Sequence, residues 1–263
     1  MGVAEARRGH RRLIVTTLDT SPPAGRFFPL RASDSPATRF MVLAPVGLGV
    51  VVVLGSWLFA SAGVGPIVVG VAAYGVGASV AAWRLRTRHG HARLGFANAV
   101  TLLRLALVST LIIPLVAGTP APVAIMVIAT ISLSLDGVDG WLARRQGLSS
   151  PFGGSFDMEV DSVFALVLAL LAFVSGGAPW IVLLLGLPRY LFWVAGAIWP
   201  WLYDPLPSRY SGKVVAVIQM ITLIVLQSPW VPTILAVVLI IGVLGALGWS
   251  FGRDIVWLWR RKA

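Results

Sequence analysis

Apolar residues recur in runs of about twenty along nearly the whole chain after Arg39, and short polar or glycine- and proline-rich breaks separate them. A run of that length, at 1.5 Å per helical residue, matches the hydrocarbon thickness of a bilayer. Eight such runs are predicted as membrane spans, at residues 41–62, 65–83, 96–117, 122–142, 156–174, 179–202, 214–226 and 231–249. A β-barrel, the other architecture that closes its backbone hydrogen bonds in lipid, needs alternation of apolar and polar residues. These runs are apolar on all sides, so the expected fold is all-α and polytopic.

Composition agrees with that pattern: 57% of the 263 residues are hydrophobic and only 12% are charged, outside the range of soluble globular domains. The net charge of +11 changes the picture less than its distribution does. Basic residues fill the N-terminal arm (Arg7, Arg8, Arg11, Arg12, Arg26, Arg31, Arg39), alternate loops (Arg84, Arg86, Arg88, Arg93; Arg144, Arg145; Arg209, Lys213) and the tail (Arg253, Arg260, Arg261, Lys262). The intervening turns at 63–65, 119–122, 175–179 and 228–232 carry no charge. Basic residues in short loops stay in the cytoplasm, so eight spans place both termini there. Topology and anionic headgroups account for these arginines, and nucleic acid is not an expected partner. The chain has no cysteine, which excludes disulfides, thiolate nucleophiles and cysteine metal sites. The arm has no apolar stretch long enough for a signal peptide and reads as a surface-lying segment.

The chemistry is concentrated in the acids. Only ten exist, and five of them fall between Asp136 and Asp161, where ionisable groups in or beside a span are costly and default to function. Asp136, Asp139, Gly140 and Ala143 share one helical face with Arg144 on its edge, and Asp157 and Asp161, four apart, share a face of the next helix. The connection at 145–152 carries Gly147, Ser149, Ser150 and Pro151, which interrupt a helix, so the four aspartates can converge at the cytoplasmic ends of antiparallel neighbours. Four carboxylates repel unless a cation sits among them. Oxygen-only ligation selects a hard ion, Mg²⁺ first, with Mn²⁺ and Ca²⁺ open, and one or two ions can be held. Glu159 falls about 200° from Asp157 by the helical period and is expected to meet a headgroup or an arginine, or to be a boundary charge.

These residues resemble the signature of the CDP-alcohol phosphotransferase family, D-x-x-D-G-x-x-A-R, a spacer of eight, then G-x-x-x-D-x-x-x-D, at every fixed position: Asp136, Asp139, Gly140, Ala143, Arg144, Gly153, Asp157 and Asp161. The resemblance implies a six-helix membrane core from Phe96 onward, commonly dimeric, here preceded by two extra spans. It implies a reaction in phospholipid synthesis, the transfer of a phosphatidyl-type group from a CDP-linked lipid to a small alcohol with release of CMP. It further implies that the four aspartates hold two metals, taken as Mg²⁺, that Gly140, Ala143, Arg144 and Gly153 receive the CDP moiety, and that Asp161 is the base for the acceptor hydroxyl. Asn98, Thr101 and Arg104 resemble the family's N-x-x-T-x-x-R segment, which adds Asn98 and Thr101 to the CDP site and Arg104 to the phosphate contacts. Their other reading is a helix cap and a snorkelling arginine.

Arg189, between apolar segments at 181–187 and 191–198, needs an anionic partner, either a substrate phosphate or a core aspartate. Ser211, Gly212 and Lys213, with Arg209 before them and Gln219 after, resemble a family S-G-K segment, and Arg209 and Lys213 join the candidate acceptor contacts. Flanking topology charges are the alternative. Ser162 stands where inositol-phosphate and glycerophosphate enzymes of the family carry a basic residue, which points away from those acceptors. The chain is thus expected to divide into a basic arm at 1–40, an added helical pair at 41–95 and a catalytic domain at 96–263, in a bacterial cell membrane with the site facing the cytoplasm. The rival reading is a cation- or proton-coupled transporter, which also needs intramembrane carboxylates. It does not require the Gly, Ala and Arg positions of the signature.

Overall fold

A computed structural model describes residues 36–88, 96–119, 121–146, 151–203 and 210–262. Among the described residues the chain is helical throughout, with no strand. The helices are α1 (Pro36–Leu58), α2 (Val64–Arg88), α3 (Phe96–Ala117), α4 (Pro122–Gln146), α5 (Pro151–Val174), α6 (Leu183–Gly186), α7 (Pro188–Ile198), α8 (Tyr210–Val225) and α9 (Thr233–Lys262), with 3₁₀ turns at Ala60–Ala62, Trp180–Val182 and Pro200–Tyr203. Local chemistry sets their ends. Proline opens α1, α4, α5 and α7, where its missing N–H costs nothing. Gly118 and Gly176, with φ of 63° and 73°, take the left-handed conformation just past α3 and α5 that ends a helix with little strain only at glycine.

The protein is an all-α polytopic membrane protein. Val64–Arg84, Ala99–Ala117 and Thr233–Arg260 are each long and apolar enough to cross a bilayer among the described residues. Val42–Leu58, Pro122–Val138 and Tyr210–Val225 are shorter apolar helices, and α5 carries Asp157, Glu159 and Asp161 in one stretch. The expected span at 179–202 is broken within its length: Trp180–Gly186 and Pro188–Ile198 are bent by 65°, because Pro188 has no N–H to continue the helical ladder. Arg189 therefore sits in the first turn after a break instead of deep in a continuous helix.

Helix α3 is the most enclosed of the three long spans and packs against α1, α2, α4 and α5. Small residues let the neighbours close in, as is usual where no hydrophobic force drives helices together in lipid. A Cβ on Gly70 of α2 would come 2.8 Å from Ile113 Cγ1, and one on Gly77 would come 3.0 Å from Leu105, both on α3. The break before α7 is seated in the same way, since a Cβ on Gly186 would lie 2.9 Å from Leu166 Cα of α5. Gln219 of α8 donates to the Leu185 carbonyl at 2.5 Å, which satisfies a backbone acceptor in the short α6 where water is scarce. Valines and isoleucines such as Val53, Ile234 and Val238 face outward, as lipid contact requires, and Trp57, Trp83, Trp180, Trp230 and Trp259 are exposed near helix ends, where their amphipathic rings suit an interface.

Candidate active site

Three of the four predicted metal ligands come together. Carboxylate oxygens of Asp136 from α4 and of Asp157 and Asp161 from α5 all lie within 4.8 Å of one another. Asp139, Gly140, Ala143 and Arg144 follow in the last turns of α4, but their surroundings lie outside the described residues, as do those of Asn98. Arg209 lies outside them altogether. Gly153 sits on α5 one turn before Asp157, half-buried.

The carboxylates meet a guanidinium. Arg104 of α3 is wholly buried. Its Nη1 is 2.8 Å from Asp136 Oδ1, and its two terminal nitrogens also donate to Asp157 Oδ1 and Asp161 Oδ1. It does not snorkel, and the described structure pairs it with aspartates. Thr101, one turn earlier on α3, is buried too. The need for a cation among the acids was legible in the sequence, whereas its partial supply by Arg104 was not. The available signal was an arginine in an apolar helix, one turn past Thr101, with nothing in its own helix to pair with.

Among the described residues, three carboxylates against one guanidinium leave two negative charges over, the charge of one divalent cation. Each carboxylate has about four lone-pair positions, so the guanidinium does not exhaust the donor set. Two oxygens across a Mg²⁺ sit about 4.2 Å apart, so oxygens within 4.8 Å of one another are in range of a common ion. The donor set, all carboxylate oxygen, fits a hard divalent cation.

A cavity of about 390 Å³ opens beside this cluster. Its wall includes Asp136, Asp161, Ala165, Arg189, Met220 and Phe251. The Phe192 and Phe251 rings, with centroids 6.0 Å apart, contribute an apolar surface suited to hydrocarbon. Arg189 is about two-fifths exposed, with its Nη2 4.0 Å from Glu159 Oε1 and its Nη1 3.7 Å from Met158 Sδ. Its nearest described acid is thus Glu159 and not one of the clustered aspartates. Glu159 in turn holds Arg84 of α2, with Nη1 2.5 Å from the same Oε1, so its expected role as an arginine's partner is realised. In the S-G-K segment, Ser211 accepts from Arg253 of α9 at 2.9 Å, while Lys213 is exposed. Ser162 Oγ is turned back to the Met158 carbonyl at 2.6 Å.

A half-buried carboxylate cluster beside a part-apolar cavity suits a charged reaction on an amphiphilic substrate. The sequence profile of the CDP-alcohol phosphatidyltransferase family matches residues 94–248, more than half of the chain, and the chain belongs to that family. It is accordingly a transferase of phospholipid synthesis that moves a phosphatidyl group from a CDP-alcohol donor to an alcohol acceptor, in a family that uses divalent metal. The match begins after α2, so the first two helices stand outside it. No curated protein and no solved structure matched the chain.

Proposed function

We propose that the protein transfers a phosphatidyl-type group from a CDP-linked lipid to a small alcohol with release of CMP, and that Asp136, Asp139, Asp157 and Asp161 hold the Mg²⁺ it needs. The observation that carries this reading is the carboxylate cluster on the wall of a cavity. Divalent cations bound there supply positive charge to the phosphate oxygens as negative charge develops on them. The remaining work falls to side chains. Gly140, Ala143, Arg144 and Gly153, with Asn98 and Thr101, receive the CDP moiety; the small residues admit a bulky ligand close to the backbone. The Phe192 and Phe251 surface takes lipid chain, and Arg189 takes an anionic oxygen of the substrate, with Arg209 and Lys213 as further acceptor contacts. Asp161 accepts the acceptor's hydroxyl proton; that oxygen bonds to the lipid-bearing phosphorus, the phosphoanhydride P–O bond breaks, and CMP leaves with the bonding electrons.

On this reading residues 96–263 form the catalytic unit, 41–95 an added helical pair and 1–40 a cytoplasmic arm. The enzyme works as a homodimer in a bacterial cell membrane with its site facing the cytoplasm. The test is to incubate purified protein with CDP-diacylglycerol, Mg²⁺ and a panel of alcohols and to follow CMP. Acceptor-dependent CMP release that stops in excess chelator is expected, and turnover undiminished by chelation would overturn the metal assignment. Arg189→Gln is expected to raise the KM of one substrate by roughly tenfold or more, the scale of a lost hydrogen bond to a charged group. Unchanged KM values in folded Arg189→Gln protein would assign the residue to structure.

A further inference from the structure

We infer that Arg84, on a helix outside the matched family segment, is a positioning residue for the cavity: it holds Glu159 away from Arg189 and so keeps the Arg189 guanidinium open to a substrate phosphate. The inference rests on the reading of Arg189 as the contact for an anionic group. Both arginines address one oxygen. Arg84 Nη1 is 2.5 Å from Glu159 Oε1, whereas Arg189 Nη2 is 4.0 Å from it, beyond hydrogen-bonding reach. Among the described residues the other terminal nitrogen of Arg189 meets the Met158 thioether, at 3.7 Å, and a thioether is a weak acceptor. Arg189 is thus tethered loosely at the cavity it shares with Asp136 and Asp161. A phosphate oxygen, which pairs with a guanidinium in fork geometry, can take it without first breaking a tight ion pair.

Removing the Arg84 charge changes that balance. Glu159 and Arg189 are both part-exposed and long enough to close the remaining gap, and a carboxylate paired on Arg189 competes with any phosphate for the same donors. The added helices then have a use: α2 lies against α3 and α5, and Arg84 near its end commits the one acid on α5 that faces away from the Arg104 cluster. The same effect arises whether the phosphate belongs to the CDP-linked donor or to the acceptor.

The experiment is CMP-release kinetics on the full chain with CDP-diacylglycerol and the acceptor found in the panel, each varied in turn. Arg84→Gln is expected to raise the KM of one substrate by about three- to tenfold, towards the low end of coupling between residues in contact, with kcat changed less than about twofold. An effect on the CDP-diacylglycerol KM marks the donor's phosphate, and an effect on the acceptor KM marks the acceptor's. Arg84→Lys, which keeps the charge, stays near the parent value. Arg84→Gln combined with Glu159→Gln, which removes the competing carboxylate, returns the KM toward it. A double variant as impaired as Arg84→Gln alone would overturn the inference, as would Arg84→Gln protein that fails to fold and is not restored by Glu159→Gln. Unchanged KM values in Arg84→Gln alongside a raised KM in Arg189→Gln would refute the role of Arg84 and leave Arg189 in place. Unchanged values in Arg189→Gln itself would remove both.

Discussion

Asp161→Asn is expected to lower kcat for CMP release by at least about 10², the scale on which loss of a general base slows a reaction, while the CDP-linked lipid still binds. The substitution keeps the side chain's size and removes its basicity. Asp161 accepts from Arg104 Nη2 through its Oδ1 and lines the cavity that Arg189 also lines, as Asp136 does from α4. Asp157, one turn earlier on the same face, accepts from Arg104 Nη1. An acceptor hydroxyl reaching the cluster from the cavity therefore meets Asp136 or Asp161, and the resemblance to the family signature assigns the base to its last aspartate, Asp161. Steady-state kinetics with CDP-diacylglycerol decides the matter. A kcat near the parent value in Asp161→Asn would move the base to Asp157 or to a water molecule, and a raised donor KM with unchanged kcat would make Asp161 a binding group only.

The spans and the site were legible for different reasons. The apolar runs that become α2, α3 and α9 are long, and lipid imposes internal hydrogen bonding on them, so periodicity and length settle their type. The break before α7 was less visible, because Pro188 lies in an apolar stretch that hydropathy alone joins into one segment; its consequence is to bring Arg189 to the edge of the cavity. Asp157 and Asp161 were placed by the four-residue helical repeat, and their meeting with Asp136 by the short connection between antiparallel helices. The arginines were harder to place. Arg84 is an ordinary flanking charge by the topology rule and Arg104 reads as a phosphate contact or a snorkelling arginine, and only the packing of α2 and α3 against α5 shows that each finds a carboxylate there. Glu159 shows the same limit: the helical period turns it away from the aspartates, but cannot say that another helix supplies its partner.

Arg104→Gln is expected to destabilise the protein when divalent cation is removed, by less than the about 3–5 kcal/mol of a fully buried ion pair, since the partner aspartates are about a third exposed. Arg104 is fully buried, and its loss leaves Asp136, Asp157 and Asp161 facing one another in a medium that screens charge poorly. A divalent cation then supplies compensation in place of the guanidinium. Because it binds the folded cluster in preference to the unfolded chain, it stabilises by mass action, about 2.7 kcal/mol at a concentration one hundred times its Kd. Losing the guanidinium also removes a positive charge that opposes the metal, so the variant binds the ion more tightly than the parent does. The expected result is an unfolding temperature well below the parent's in chelator that recovers most of the difference in millimolar Mg²⁺, with a larger Mg²⁺-induced rise than the parent shows. Arg104→Lys falls between the two, since an ammonium keeps the charge but not the planar fork that reaches several carboxylates. Thermal unfolding in detergent, read by tryptophan fluorescence, measures this without reference to catalysis. An equal loss of stability with and without Mg²⁺ would show that Arg104 and the metal do not share these carboxylates, and that the guanidinium's role is packing alone.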